Sequence, residues 1–235
     1  MPKNCMVDIV PAILSYSKQD MLNKLSRVGG IAPAIHIDIM DGHFVKNKTI
    51  GPAELADLPY HKIIEYHLMV SDPARYMHEL PGGSNVIYQA HIEATAEGRA
   101  GNLAPGGNLP GVAAGISHLA AIAAHKNSKF CIAINPSTPL ETVGAGIKSL
   151  RHVLIMAVVP GIDGQKYMAE VETKISQLRN MMPDIIIEVD GGINMENGKS
   201  AVRAGANRLA AATAIFAQPD AVVAYKQLHL MANEG

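Results

Sequence analysis

An eight-fold β/α barrel, the (β/α)8 or TIM barrel, is the fold class this sequence predicts, and three observations predict it. Eight β-rich runs alternate with segments of helical spacing. At 235 residues the chain has the length usual for one such barrel. Ionisable and polar residues gather just after runs two, three, four, six, seven and eight, and a barrel brings those strand ends to one mouth. A doubly wound open sheet shares the alternation but does not readily explain the gathering. One domain over residues 1–235 is expected, with a Gly/Pro-rich insertion at 95–111.

Taken in order, Val7 to Leu14 reads as a first strand, bent near its end by Pro11. Met21, Leu22, Leu25 and Val28 then fall on one helical face, stopped by Gly29-Gly30. Ala34 to Asp38 is strand two, whose alternation sends His36 and Asp38 to one face and Ile35, Ile37 and Ile39 to the other. The polar excursion Asp41 to Pro52 is long enough to suggest a functional loop. Ile63 to Val70 is strand three, Asp72-Pro73 caps a helix, and Asn85 to His91 is strand four. Gly111 to Ala124 suits a helix, Lys129 to Asn135 a strand, and Pro139 to Ile147 a helix with proline in its first turn. His152 to Val159 is strand six; Val171, Ile175, Leu178 and Met182 mark an amphipathic helix, and Ile185 to Asp190 is strand seven. A helix through Gly198 to Ala204, the short strand Arg208 to Ala211 and a last helix from Pro219 to about Met231 complete the set.

Composition narrows the partner. Lys plus Arg and Asp plus Glu nearly cancel, at 20 against 21, so no charge footprint for nucleic acid or an anionic membrane is visible. No stretch approaches the roughly 18 to 20 apolar residues of a membrane span. The partner is read as a small molecule, and a homo-oligomer is compatible with the sequence. Cys5 and Cys131 lack disulfide or metal spacing and no leader pattern opens the chain, so a cytoplasmic protein with free thiols is expected.

Three strand ends carry chemistry. His36 and Asp38, two apart on one face, are close enough to share a cation, though they equally suit a hydrogen bond within the core. Alone, His67 reads as a satisfied core histidine and Asp190 as a turn residue before Gly191-Gly192. Together His36, Asp38, His67 and Asp190 supply two imidazoles and two carboxylates, a metal-type donor set.

The strings His36-Ile37-Asp38-Ile39-Met40-Asp41-Gly42-His43-Phe44-Val45, His67-Leu68-Met69-Val70, Met156-Ala157-Val158-Val159-Pro160-Gly161, Gly164-Gln165 and Glu188-Val189-Asp190-Gly191-Gly192 resemble the ribulose-phosphate 3-epimerase family, in the family's order, from about Val10 to Phe216. The resemblance implies a metal-dependent epimerisation at C3 of a ketose phosphate through an enediolate, for example between D-ribulose 5-phosphate and D-xylulose 5-phosphate in pentose phosphate metabolism. It implies one divalent ion (zinc, iron(II), manganese or cobalt) on His36, Asp38, His67 and Asp190, with Asp38 and Asp190 as the acid/base pair. Met40, Met69 and Met156 match methionines that wall the reacting carbon, although methionine is ordinarily a core filler. The phosphate is expected against Gly161, Ile162, Asp163, Gly164, Gly191, Gly192, Ala212 and Thr213.

The sequence also departs from the family. Asp163 stands where a second glycine is usual, Ala212-Thr213 where Gly-Ser is usual, Ala12 in place of a substrate-touching serine, and Lys46 where proline is common. These changes keep D-allulose 6-phosphate as an alternative substrate and a non-catalytic sugar-phosphate binder as an alternative function. A decarboxylase or aldolase relative is disfavoured, because Asp38-Ile39-Met40 lacks the lysine of an Asp-x-Lys pattern. His91-Ile92-Glu93 also matches a family motif, without a role that the sequence supplies.

Overall fold

The computed structural model describes residues 6–95, 110–162 and 164–234. Most of the 95–111 insertion, residues 96–109, and Asp163 lie outside the described residues. The strands are β1 (Asp8–Ile13), β2 (Ala34–Met40), β3 (Ile63–Met69), β4 (Val86–His91), β5 (Lys129–Ile134), β6 (His152–Met156), β7 (Ile186–Asp190) and β8 (Arg208–Ala211). They close in sequence order into a parallel barrel, with β1 paired to β8.

The helices are α1 (Lys18–Val28), α2 (Pro52–Leu55), α3 (Pro73–Glu79), α4 (Pro110–His125), α5 (Val171–Met181), α6 (Met195–Ala204), α7 (Thr213–Phe216) and α8 (Ala221–Asn233). Local chemistry sets their starts. The side chains of Ser17, Asp72, Asn194 and Asp220 accept backbone N–H groups at the first turns of α1, α3, α6 and α8.

Several elements differ from the sequence reading, among them the short helix α7, which it did not include. The helix expected from Pro139 is a 3-10 helix, Leu140–Ser149, whose Thr142-Val143-Gly144-Ala145-Gly146 stretch is poor in strong α-formers. Strand six ends at Met156 rather than Val159; just beyond it the Ala157 carbonyl accepts from the Met168 N–H at 2.8 Å, outside the strand ladder. The loop after β2 is partly ordered by an antiparallel bridge between Asp41 and Lys48, and it ends in α2.

The outward faces of the strands meet the helices. Ile35, Ile37 and Ile39 pack with Met21 and Leu25 of α1, as the period-two alternation predicts. The inward faces break the habit of such barrels, which fill their interiors with branched apolar side chains. Here His36, Asp38, Glu65, His67, Gln89, Glu188 and Arg208 are buried. Parallel register places them side by side: Asp38 beside His67, His36 beside Glu65, and Glu188 beside Arg208. No described helix is long and apolar enough to cross a membrane.

Candidate active site and metal centre

β2, β3 and β7 deliver the four predicted ligands to one point. The donor atoms of His36, Asp38, His67 and Asp190 all lie within 4.8 Å of one another. Asp38 Oδ1 is 2.9 Å from His67 Nδ1 and 3.3 Å from His36 Nε2; Asp190 Oδ2 is 3.7 Å from His67 Nδ1 and 3.9 Å from His36 Nε2. Both imidazoles are fully buried.

The residues fit a divalent cation. His36 Nε2 is buried with no hydrogen-bond partner, yet it faces two carboxylates. An orphaned buried nitrogen is costly unless something else takes its lone pair. Two imidazole nitrogens and two carboxylate oxygens form a mixed donor set that suits zinc, iron(II), manganese or cobalt.

Groups behind the ligands orient them. His36 turns its other nitrogen, Nδ1, to Glu188 Oε1 at 3.2 Å. Glu188 in turn accepts from Gln89 Nε2 at 2.7 Å and lies 2.8 Å from His152 Nε2. Arg208 sits beneath, its Nη2 2.6 Å from Glu65 Oε1 and its Nη1 2.7 Å from Asp8 Oδ2. His36, Glu65 and Glu188 form a second donor group, but there the guanidinium supplies the positive charge. This layer was not singled out in the sequence. The alternation Glu188-Val189-Asp190 carries its signal, since Glu188 must share the inward face with Asp190.

Electrostatics separates the two aspartates. Burial opposes the charge on Asp38, but its contacts with His36 and His67 hold its pKa well below the ordinary value. Burial pushes Asp190 up to about 6, with the Asp38 charge adding to the rise and His36 opposing it. For His67, burial lowers the pKa and favours the neutral ring that a metal requires. For His36, burial is outweighed by Asp38, Glu188 and Glu65, which raise its pKa well above the usual imidazole value.

Above the cluster opens a cleft. Asp38, Asp190, Met40, Met69 and Met156 line it, and so do Gly161, Ile162, Gly164, Gly191, Gly192, Ala212 and Thr213. Every described residue expected at the wall and the phosphate end therefore borders one space. Ala12 is buried and is not among the cleft-lining residues. Gly191 and Gly192 have φ of +113° and +66°, and a Cβ on Gly192 would lie 2.6 Å from the Tyr167 backbone nitrogen. The fold itself thus demands these glycines.

The loop after β2 braces the mouth. Asp41 accepts from the backbone N–H groups of His43 and Phe44 and from the backbone and hydroxyl of Ser71. The Thr49 hydroxyl donates to the Asp38 carbonyl at 2.9 Å and accepts from the Met40 N–H at 2.9 Å. Across the opening, Asn47 Nδ2 donates to the Gly161 carbonyl at 2.6 Å.

Known proteins resemble this chain in sequence and in fold. Residues 8–104 and 111–216 match the Ribulose-phosphate 3 epimerase family. The chain is 33% identical over 227 residues to ribulose-phosphate 3-epimerase of Bacillus subtilis, covering 92% of this chain and 94% of that one. It is 32% identical over 223 residues to the cytoplasmic isoform of the rice (Oryza sativa subsp. japonica) enzyme, covering 92% and 90%. Among solved structures, KGPDC from Streptococcus mutans superposes with a TM-score of 0.63 at 12% identity, over 97% of each chain; this likeness speaks to the barrel fold. The chain is an epimerase and belongs to the ribulose-phosphate 3-epimerase family.

Proposed function

We propose that the chain inverts C3 of a pentulose phosphate, converting D-ribulose 5-phosphate to D-xylulose 5-phosphate, with Asp38 and Asp190 as the two proton-transfer groups. The observation that carries the reading is the pair of carboxylates, one from β2 and one from β7, that meet in one donor cluster at the cleft. Inversion needs a base on one face of the carbon and an acid on the other. A charged and a protonated carboxylate meet that need, and their roles exchange for the reverse reaction.

His36, Asp38, His67 and Asp190 would hold one divalent ion. When bound, such an ion contributes several kcal/mol of charge stabilisation to the oxygens that become anionic as the C3 proton leaves. Asp38, supplied by β2, and Asp190, supplied by β7, then move the proton at C3. Met40, Met69 and Met156 border the same space with apolar surface, which excludes water and strengthens the electrostatics within.

The phosphate end would lie against Gly161, Ile162, Gly164, Gly191, Gly192, Ala212 and Thr213. Among the described cleft-lining residues none is cationic, so backbone N–H groups and the Thr213 hydroxyl are left to hold the dianion. Similarity to the rice cytoplasmic isoform supports a cytoplasmic location.

A coupled assay of the metal-loaded chain with D-ribulose 5-phosphate, run beside D-allulose 6-phosphate, tests the reading. Preferential turnover of the pentulose is expected. Preference for the hexulose would mean that Ala212-Thr213, at the cleft, marks a changed specificity, and turnover of neither would favour a non-catalytic binder.

A further inference from the structure

We propose that His91 and Glu93 are positioning residues that hold the His67 ring in the one tautomer able to bind a metal ion. The proposal rests on the metal reading above and assigns a role to two side chains that the mechanism does not use.

The geometry is a chain of three polar groups. His67 presents Nδ1 to Asp38 and Asp190, and its Nε2 lies 2.9 Å from His91 Nε2. The two rings are nearly parallel, with centroids 5.0 Å apart and planes 26° apart. Beyond them, His91 Nδ1 lies 3.3 Å from Glu93 Oε2. His91 is fully buried and Phe44 covers it, the ring centroids 5.0 Å apart.

Two nitrogens facing each other at 2.9 Å share one proton, so one ring donates and the other accepts. An ionised carboxylate only accepts. Glu93 at the far end therefore requires the proton of neutral His91 on Nδ1, which leaves the His91 Nε2 lone pair facing His67. His67 must then carry its own proton on Nε2, and its Nδ1 lone pair faces Asp38 Oδ1 at 2.9 Å, an arrangement that a cation shared between them satisfies. The reversed order would set a lone pair of His91 against the Glu93 carboxylate.

Glu93 is itself held in place. Its Oε1 accepts from the Asn135 backbone N–H at 2.9 Å and from the Thr138 hydroxyl at 2.5 Å. That short loop after β5 is clamped by Lys174 of α5, whose ammonium donates to the carbonyls of Asn135, Pro136 and Thr138 at 2.8, 2.8 and 2.7 Å. The two ligand histidines are thus served alike. A carboxylate, Glu188, fixes the outer nitrogen of His36 directly, whereas Glu93 fixes that of His67 through one intervening imidazole.

The fixed Oε1 makes Glu93→Gln diagnostic. Asn135 N–H still demands an acceptor, so the new amide NH2 takes the place of Oε2 and donates toward His91 Nδ1. Polarity along the chain is then reversed, and the His67 tautomer with a free Nδ1 is no longer enforced. Partners of this kind change metal affinity by about ten- to a hundredfold.

The test uses the full chain stripped of metal, with zinc as the probe. Zinc affinity is measured by competition with a chromophoric chelator for the parent, Glu93→Gln, His91→Gln and His91→Leu, and thermal melts of the metal-free forms are recorded alongside. Glu93→Gln and His91→Leu are expected to bind zinc about ten- to a hundredfold more weakly. His91→Gln should lose less than His91→Leu, because its carbonyl oxygen still accepts from His67 and its NH2 still donates to Glu93. A folded Glu93→Gln with the parent's zinc affinity overturns the proposal, as does a His91→Gln that binds as weakly as His91→Leu. If His91→Leu does not fold, Glu93→Gln against the parent decides. A parent that takes up no zinc removes the metal reading itself, and the positioning role falls with it.

Discussion

His36 Nδ1 lies 3.2 Å from Glu188 Oε1, while Nε2 of the same ring faces Asp38 and Asp190. One buried side chain thereby joins the charged layer within the barrel to the chemistry at its mouth. Glu188→Gln should weaken metal binding by about ten- to a hundredfold, because a carboxamide orients the ring less firmly. Glu188→Leu should cost about 3–5 kcal/mol of stability as well, since it strips the partner from His36, His152 and Arg208 in one step. Chelator competition and urea unfolding separate the two effects.

Asp38 and Asp190 are expected to matter more for turnover than for holding the sugar. Asp190→Asn should lower kcat by about 10²–10⁴-fold with a much smaller change in KM. Steady-state kinetics at saturating metal checks this, and an equal loss in Asp38→Asn is expected if both carboxylates move protons.

Metal affinity should rise with pH. His36 keeps a proton above the ordinary imidazole range, so it must deprotonate before a cation binds. One proton therefore leaves on binding, and log affinity should climb by about one per pH unit. Calorimetric titration with zinc in buffers of different ionisation enthalpy counts that proton directly.

Gly192 tests the backbone. With φ of +66° and the Tyr167 nitrogen 2.6 Å from any Cβ, Gly192→Ala should cost about 1–3 kcal/mol and raise the sugar-phosphate KM by moving the loop after β7. Denaturant melts and kinetics on the same variant provide both readings.

The barrel was legible because its strands state their own period. Ile35, Ile37 and Ile39 alternate with His36 and Asp38, and that rhythm predicted which residues face the helices. The four donors were also readable from strand-end polar residues, and the structure brings them within 4.8 Å. Their supports were harder to see. Glu188, Gln89 and Arg208 come from β7, β4 and β8, and only the closure of the sheet reveals that they share one interior. His91 and Glu93 looked like a motif without a task, since their task depends on which nitrogen of His67 faces inward. The 3-10 geometry after Pro139 escaped the reading because a helical turn with weak formers carries the same proline signal as an α-helix.

The most direct test of two-carboxylate inversion at C3 is proton NMR of D-ribulose 5-phosphate turning over in D2O with the metal-loaded chain. The account predicts D-xylulose 5-phosphate carrying solvent deuterium at C3, with conversion lost in Asp190→Asn. Product that retains the substrate's own C3 hydrogen, or undiminished conversion by Asp190→Asn, would contradict it.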